Sequence, residues 1–102
     1  MGANSFMATG QGGTVGEAFA DAVGQYGSGD GYTGTVAEKD GHVVIQSAPA
    51  ADEDAAADIA DRLLDDGDPR VMDKWGPAGA IRYTDPDAPD LQSWLFFGMA
   101  SS

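Results

Sequence analysis

Cysteine is absent from this chain, which excludes disulfides, thiol nucleophiles and thiolate metal sites. Bases are almost as scarce: two Lys and three Arg stand against seventeen acids, and His42 is the single histidine. Five bases cannot build the phosphate-neutralising patch behind most nonspecific nucleic-acid affinity, so direct nucleic-acid binding is not expected. No apolar run approaches the roughly 20 residues that cross a bilayer. The opening Met1-Gly2-Ala3-Asn4 has neither a basic region nor an apolar core, so no secretory signal is expected. It begins like a myristoylation site, but Phe6 stands where Ser or Thr is required. The expectation is a soluble cytoplasmic protein with no membrane attachment.

What is present in excess is negative charge. The net charge is −12 in 102 residues, and fourteen of the seventeen acids are Asp. Such a charge destabilises a compact state by self-repulsion, so something must compensate for it. Concentrated salt is one compensation, since the Debye length falls from ~10 Å at 0.1 M to ~3 Å at 1 M. Abundant Asp, scarce Lys and many small residues fit the proteome of a salt-accumulating halophile. A basic partner that reads the acidic surface as if it were nucleic acid is the other compensation.

At 102 residues the chain fits one domain, taken as 1–102, and can bury a core. Residues 3–9 read as a first strand, broken by Gly10-Gln11-Gly12-Gly13. Thr14 and Glu17 form a capping box, with the Glu17 side chain expected back on the Thr14 amide. Val15, Ala18, Phe19, Ala22, Val23 and Tyr26 then make one apolar helical stripe. Thr33–Lys39 and His42–Ser47, joined by Asp40-Gly41, predict a hairpin. A second helix is expected from about Pro49 to Asp66, with Ala56, Ile59, Ala60 and Leu63 inward and Asp54, Asp58, Asp61 and Asp65 outward, ended by Gly67. A fourth strand is expected at 80–84. The last, around Trp94-Leu95-Phe96-Phe97, suits a strand buried on both faces. The predicted class is α+β in the order β-α-β-β-α-β-β. Its predicted architecture is a two-layer sandwich, both helices on one face of a mainly antiparallel sheet.

The candidate sites are few. Gly10-x-Gly12-Gly13-x-x-Gly16 occupies the place of a dinucleotide fingerprint, but its spacing is wrong and Glu17 and Asp21 would repel a phosphate. It is expected to be a flexible turn, and no cofactor is expected. His42, at a strand start, has titration near neutral pH in its favour, yet no nucleophile or acid partner is identifiable. Asp85, Asp87 and Asp90 offer hard oxygen ligands for a weak Ca²⁺ or Mg²⁺ site, without the glycine or terminal Glu of an EF-hand loop. Asp73, Lys74 and Trp75, near Arg70, form the one basic and aromatic concentration, and Tyr32 lies in a second polar loop. Tyr32, His42, Asp73, Lys74 and Trp75 are therefore the candidate binding residues.

The segments Gly31-Tyr-Thr-Gly-Thr-Val-Ala-Glu-Lys39, Asp73-Lys-Trp-Gly-Pro-Ala-Gly79 and Leu95-Phe-Phe-Gly-Met-Ala-Ser101 resemble a group of small proteins recurring in prokaryotic and phage genomes. That group carries no assigned activity. The resemblance implies a surface built jointly from these segments, and a phage association.

With no catalytic constellation in view, the expected function is that of a non-enzymatic interaction or assembly protein of a halophile or its virus. It would act on a protein partner or on itself as a homo-oligomer, because the apolar last strand needs a covering surface. One alternative is a nucleic-acid-mimicking inhibitor that docks in a basic groove. The other is a small-molecule-binding domain using the Trp75 loop.

Overall fold

The computed structural model describes residues 3–26, 41–71 and 77–101. Their elements run in the order β1 (Ala3–Gly12), α1 (Val15–Tyr26), β2 (His42–Ala50), α2 (Glu53–Asp66), β3 (Ala78–Tyr83) and β4 (Gln92–Ser101). The α+β class and the order of elements agree with the sequence reading. The expected hairpin arm at 33–39 and its turn at Asp40 lie outside the described residues.

The sheet order is β1-β4-β3-β2. β4 pairs antiparallel with both β1 and β3, and β3 pairs parallel with β2. The most apolar strand is thus one of the two inner ones, with Trp94 to Gly98 all buried. Burying each large apolar side chain there contributes about 1.5–3 kcal/mol.

Successive residues of a strand point to opposite faces, and here both faces are apolar. Phe6, Ala8, Ala78, Ala80, Trp94 and Phe96 pack with Ala18 and Ala22 of α1. Ile81, Tyr83, Leu95 and Phe97 pack with Ala56 and Ala60 of α2, and Met7 joins them. The helices therefore cover opposite faces, and the expected placement of both on one face is corrected. A single helical layer would have left either Trp94 and Phe96 or Leu95 and Phe97 in water.

The glycine run after residue 9 does not break the first strand. β1 continues through Gly10, Gln11 and Gly12, paired with Trp94, Ser93 and Gln92. A Cβ at Gly10 would stand 2.0 Å from the Ala18 carbonyl oxygen, and one at Gly12 would stand 2.6 Å from the Glu17 Cβ. These glycines let α1 lie directly on the strand that precedes it. Gly10 and Gly12 are thus close-packing positions of β1, and the expected turn between strand and helix is confined to Gly13 and Thr14.

Both helices start on caps encoded locally. The Glu17 amide donates to Thr14 Oγ1 at 3.2 Å, while the Glu17 carboxylate takes the Gly13 amide at 2.8 Å, one residue before the amide expected. α2 begins at Glu53, with Asp52 as N-cap accepting from the Ala55 amide at 2.8 Å. Pro49, expected to open that helix, instead lies in β2, within a register irregularity between Gln46 and Ala50 where a missing N–H is tolerated. Gly67 closes α2 at φ 70. Its amide bonds Leu64 and the Asp68 amide bonds Leu63, the two-bond arrangement of a Schellman cap.

Candidate functional site

Because β1 and β3 both oppose β4, and β2 runs with β3, three strands share one direction. The ends of β1, β2 and β3 at Gly12, Ala50 and Tyr83 thus lie at one end of the sheet, together with the N-termini of α1 and α2. The carboxyl ends of such strands are where open sheets bind ligands.

A polar cluster occupies that end. The Gln11 side-chain amide donates to Asp85 Oδ2 at 2.8 Å and to Ser93 Oγ at 3.1 Å. The Gln11 backbone N–H donates to Asp21 Oδ2 at 3.0 Å, tying β1 to α1. Asp85 Oδ1 accepts from the Asp87 amide at 2.9 Å, which shapes the loop after β3. Tyr83, buried on the α2 face, is hydrogen-bonded with the side chains of Thr9 and Ser93. Burial chiefly, with the nearby Glu53 carboxylate and a smaller push from Asp85, raises its phenol above the ordinary 10.0; the hydrogen bonds oppose this. The phenol is therefore a neutral hydrogen-bonding group near pH 7.

Two cavities adjoin the cluster. One, of about 270 Å³, is lined by Thr9, Gln11, Asp21, Glu53, Tyr83 and Asp85, with Gly10 at its wall. The other, of about 280 Å³, is lined by Met7, Ala8, Thr9, Glu53, Ala57 and Leu95. They share Thr9 and Glu53. Their position follows from the layers: α2 rests on β2, β3 and β4, and a helix about 10–12 Å wide covers only two or three strands spaced about 4.8 Å apart. The α2 side of β1 is left as the floor of a cleft.

The second notable surface is α2 itself. Ala56 and Ala60 are buried, whereas Asp54, Asp58, Asp61 and Asp65 are exposed along the opposite side, as their spacing predicted.

The residues singled out in the sequence do not assemble into this site. His42 begins β2, opposite Ala78, at the other end of the sheet. Its ring is half-buried against Phe19 and Phe96, with centroids 5.1 and 6.2 Å away, and serves packing on the α1 face. Tyr32, Asp73, Lys74 and Trp75 lie outside the described residues. Arg70 is held by both carboxylate oxygens of Asp68, its Nη2 at 2.7 Å. Those bonds hold the Asp68 carboxyl down at about 2.

Of the three loop acids only Asp85 reaches the cluster; Asp87 and Asp90 are exposed. Among the described residues no group of three His, Asp or Glu side chains is placed to hold a metal ion. Both Asp85 oxygens already accept hydrogen bonds. The weak cation site at Asp85, Asp87 and Asp90 is not assembled.

Thr9, Gln11, Glu53, Tyr83 and Ser93 were missed because no local motif joins them. Gln11 and its partners Asp85 and Ser93 are 74 and 82 positions apart, and only the strand pairing brings them together. The period-two alternation of Met7, Thr9 and Gln11 was the one available hint. No helix among the described residues is long and apolar enough to cross a membrane. No protein-family model, curated protein or solved structure matches the chain.

Proposed function

We propose that this chain is a non-enzymatic acidic interaction protein of a salt-rich host or its virus, acting through its surface on a protein partner or on copies of itself. The observation that carries this reading is the spread of exposed carboxylates over both helices and the last loop. Glu17 and Asp21 are exposed on α1, Asp52 to Asp66 line α2 and its cap, and Asp87 and Asp90 project from the last loop. Charge scattered in this way acts on the whole fold and needs screening, not a single ligand.

A circular-dichroism melt between ~0.1 M and ~3 M KCl tests it, spanning weak to strong screening. The expected outcome is a midpoint that climbs steeply with salt. Equal stability at both ends removes the salt-adaptation reading. Self-association, on this view, uses a surface other than β4, which α1 and α2 already cover. Light scattering in concentrated KCl measures it, and a clean monomer eliminates the homo-oligomer.

One observation favours a second reading, mimicry of nucleic acid. Asp54, Asp58, Asp61 and Asp65 follow one another along one helix face, a ladder of negative charge about 16 Å long at 1.5 Å per residue. A basic-groove nuclease or repressor retained at low ionic strength and released by salt supports it. Failure to retain any such protein counts against it.

A further inference from the structure

We propose that the paired cavities beside α2 form one binding cleft for a small amphipathic amine, its cationic head on Glu53 and its apolar tail along Met7, Ala57 and Leu95. This site is independent of the acidic-surface reading and lies on the α2 side of β1.

Three features select that ligand. The first is shape. Each cavity lies just below the roughly 300–1,000 Å³ of ordinary small-ligand sites, and the two together fall within that range. Thr9 and Glu53 line both, so the cavities lie side by side, and the proposed ligand is a single elongated molecule that spans them.

The second is charge complementarity. Asp21, Glu53 and Asp85 line the polar half, and no Lys or Arg is among the lining residues of either half. An anion is therefore rejected and a cation drawn in. Within the trio Asp85 is occupied by Gln11 and the Asp87 amide, and Asp21 accepts from the Gln11 amide. Glu53 lines both halves, with its carboxylate near Tyr83, and takes the ammonium; charge-assisted bonds of this kind are the strong ones.

The third is the contrast between the halves. Beyond Glu53 the wall becomes Met7, Ala8, Ala57 and Leu95. Met7 is only partly buried and, being unbranched and adaptable, suits contact with an alkyl chain. A fully polar cation such as a bare diamine leaves that half unfilled, and an uncharged alcohol leaves Glu53 unanswered.

The test is a titration of the full chain with hexylammonium chloride, followed by amide chemical shifts in about 1 M NaCl, where weak surface attraction is screened. Expected are saturable shifts confined to Met7–Gln11, Glu53, Ala57, Tyr83 and Leu95. Hexanol and putrescine should bind at least tenfold more weakly. Glu53→Gln, an exposed change in the first turn of α2, should weaken hexylammonium binding about tenfold while leaving the rest of the spectrum unchanged. Ala57→Leu, which fills the apolar half, should abolish it, and the unperturbed α1-face resonances report that the variant is folded. Shifts spread over Asp54 to Asp65 instead overturn the proposal, as does equal binding of hexanol or of the Glu53→Gln variant.

Discussion

A methyl group at Gly10 would sit 2.0 Å from the Ala18 carbonyl and 2.9 Å from the Ala22 amide, both of them backbone atoms that cannot step aside. Gly10→Ala is therefore expected to destabilise the fold by about 3 kcal/mol, the upper part of the range for overpacking. Gly24 lies in the same helix region with nothing within 4 Å of its added Cβ, so Gly24→Ala is expected to stabilise by about 0.5–1 kcal/mol. Urea unfolding of the two variants reads the opposite signs directly. Tyr83 makes the residue scale pH-dependent. Its folded phenol titrates above the ordinary 10.0, burial being the main cause. A raised value means its contribution is complete below about pH 10 and is lost as pH climbs through the folded value. Tyr83→Phe is expected to cost about 1 kcal/mol at neutral pH through lost hydrogen bonds and to flatten the alkaline limb of stability. Unfolding free energies measured from about pH 8 to 12 check both parts. Neither Gly10 nor Tyr83 could be understood from its neighbours in the chain, because what presses on each comes from another element.

Among the elements, α2 was the most legible. Its apolar stripe, acidic outer face and terminating Gly67 are written at 3.6-residue spacing, and the structure repeats them. Its start was less legible, since Pro49 suits a first helical turn as well as a strand end. The side chain of Asp52 decides the point by capping at Ala55. Asp52→Ala is expected to cost about 1 kcal/mol, and Gly67→Ala, at φ 70, about 1–2 kcal/mol. Thermal unfolding of each variant, followed at the helix band, provides the measurement, and a neutral Asp52→Ala would show that the Asp52 cap contributes nothing to α2. β1 was underestimated at its carboxyl end, because Gly10 and Gly12 look like breakers until a helix is laid on them.

At the scale of the molecule, a charge of −12 is spread over both helices and the last loop, and the stability gained between ~0.1 M and ~3 M KCl measures the resulting repulsion. The gain should exceed that of any single carboxylate-to-amide variant on α2, since repulsion summed over the surface is lost only a little at a time. The chain by itself determined the class, the order of elements, the helix faces and the two-sided burial of β4, all of which are periodic or capping signals read within a few residues. The alternation of Trp94, Leu95, Phe96 and Phe97 even carried the need for cover on both faces, although a two-layer arrangement had been expected. Which helix covers which face, the inner position of β4 and the cleft at Thr9 and Glu53 were decided only by tertiary structure. Pairings such as Gln11 with Asp85 and Ser93 join distant positions, and no local pattern encodes a contact that exists only once the sheet has formed.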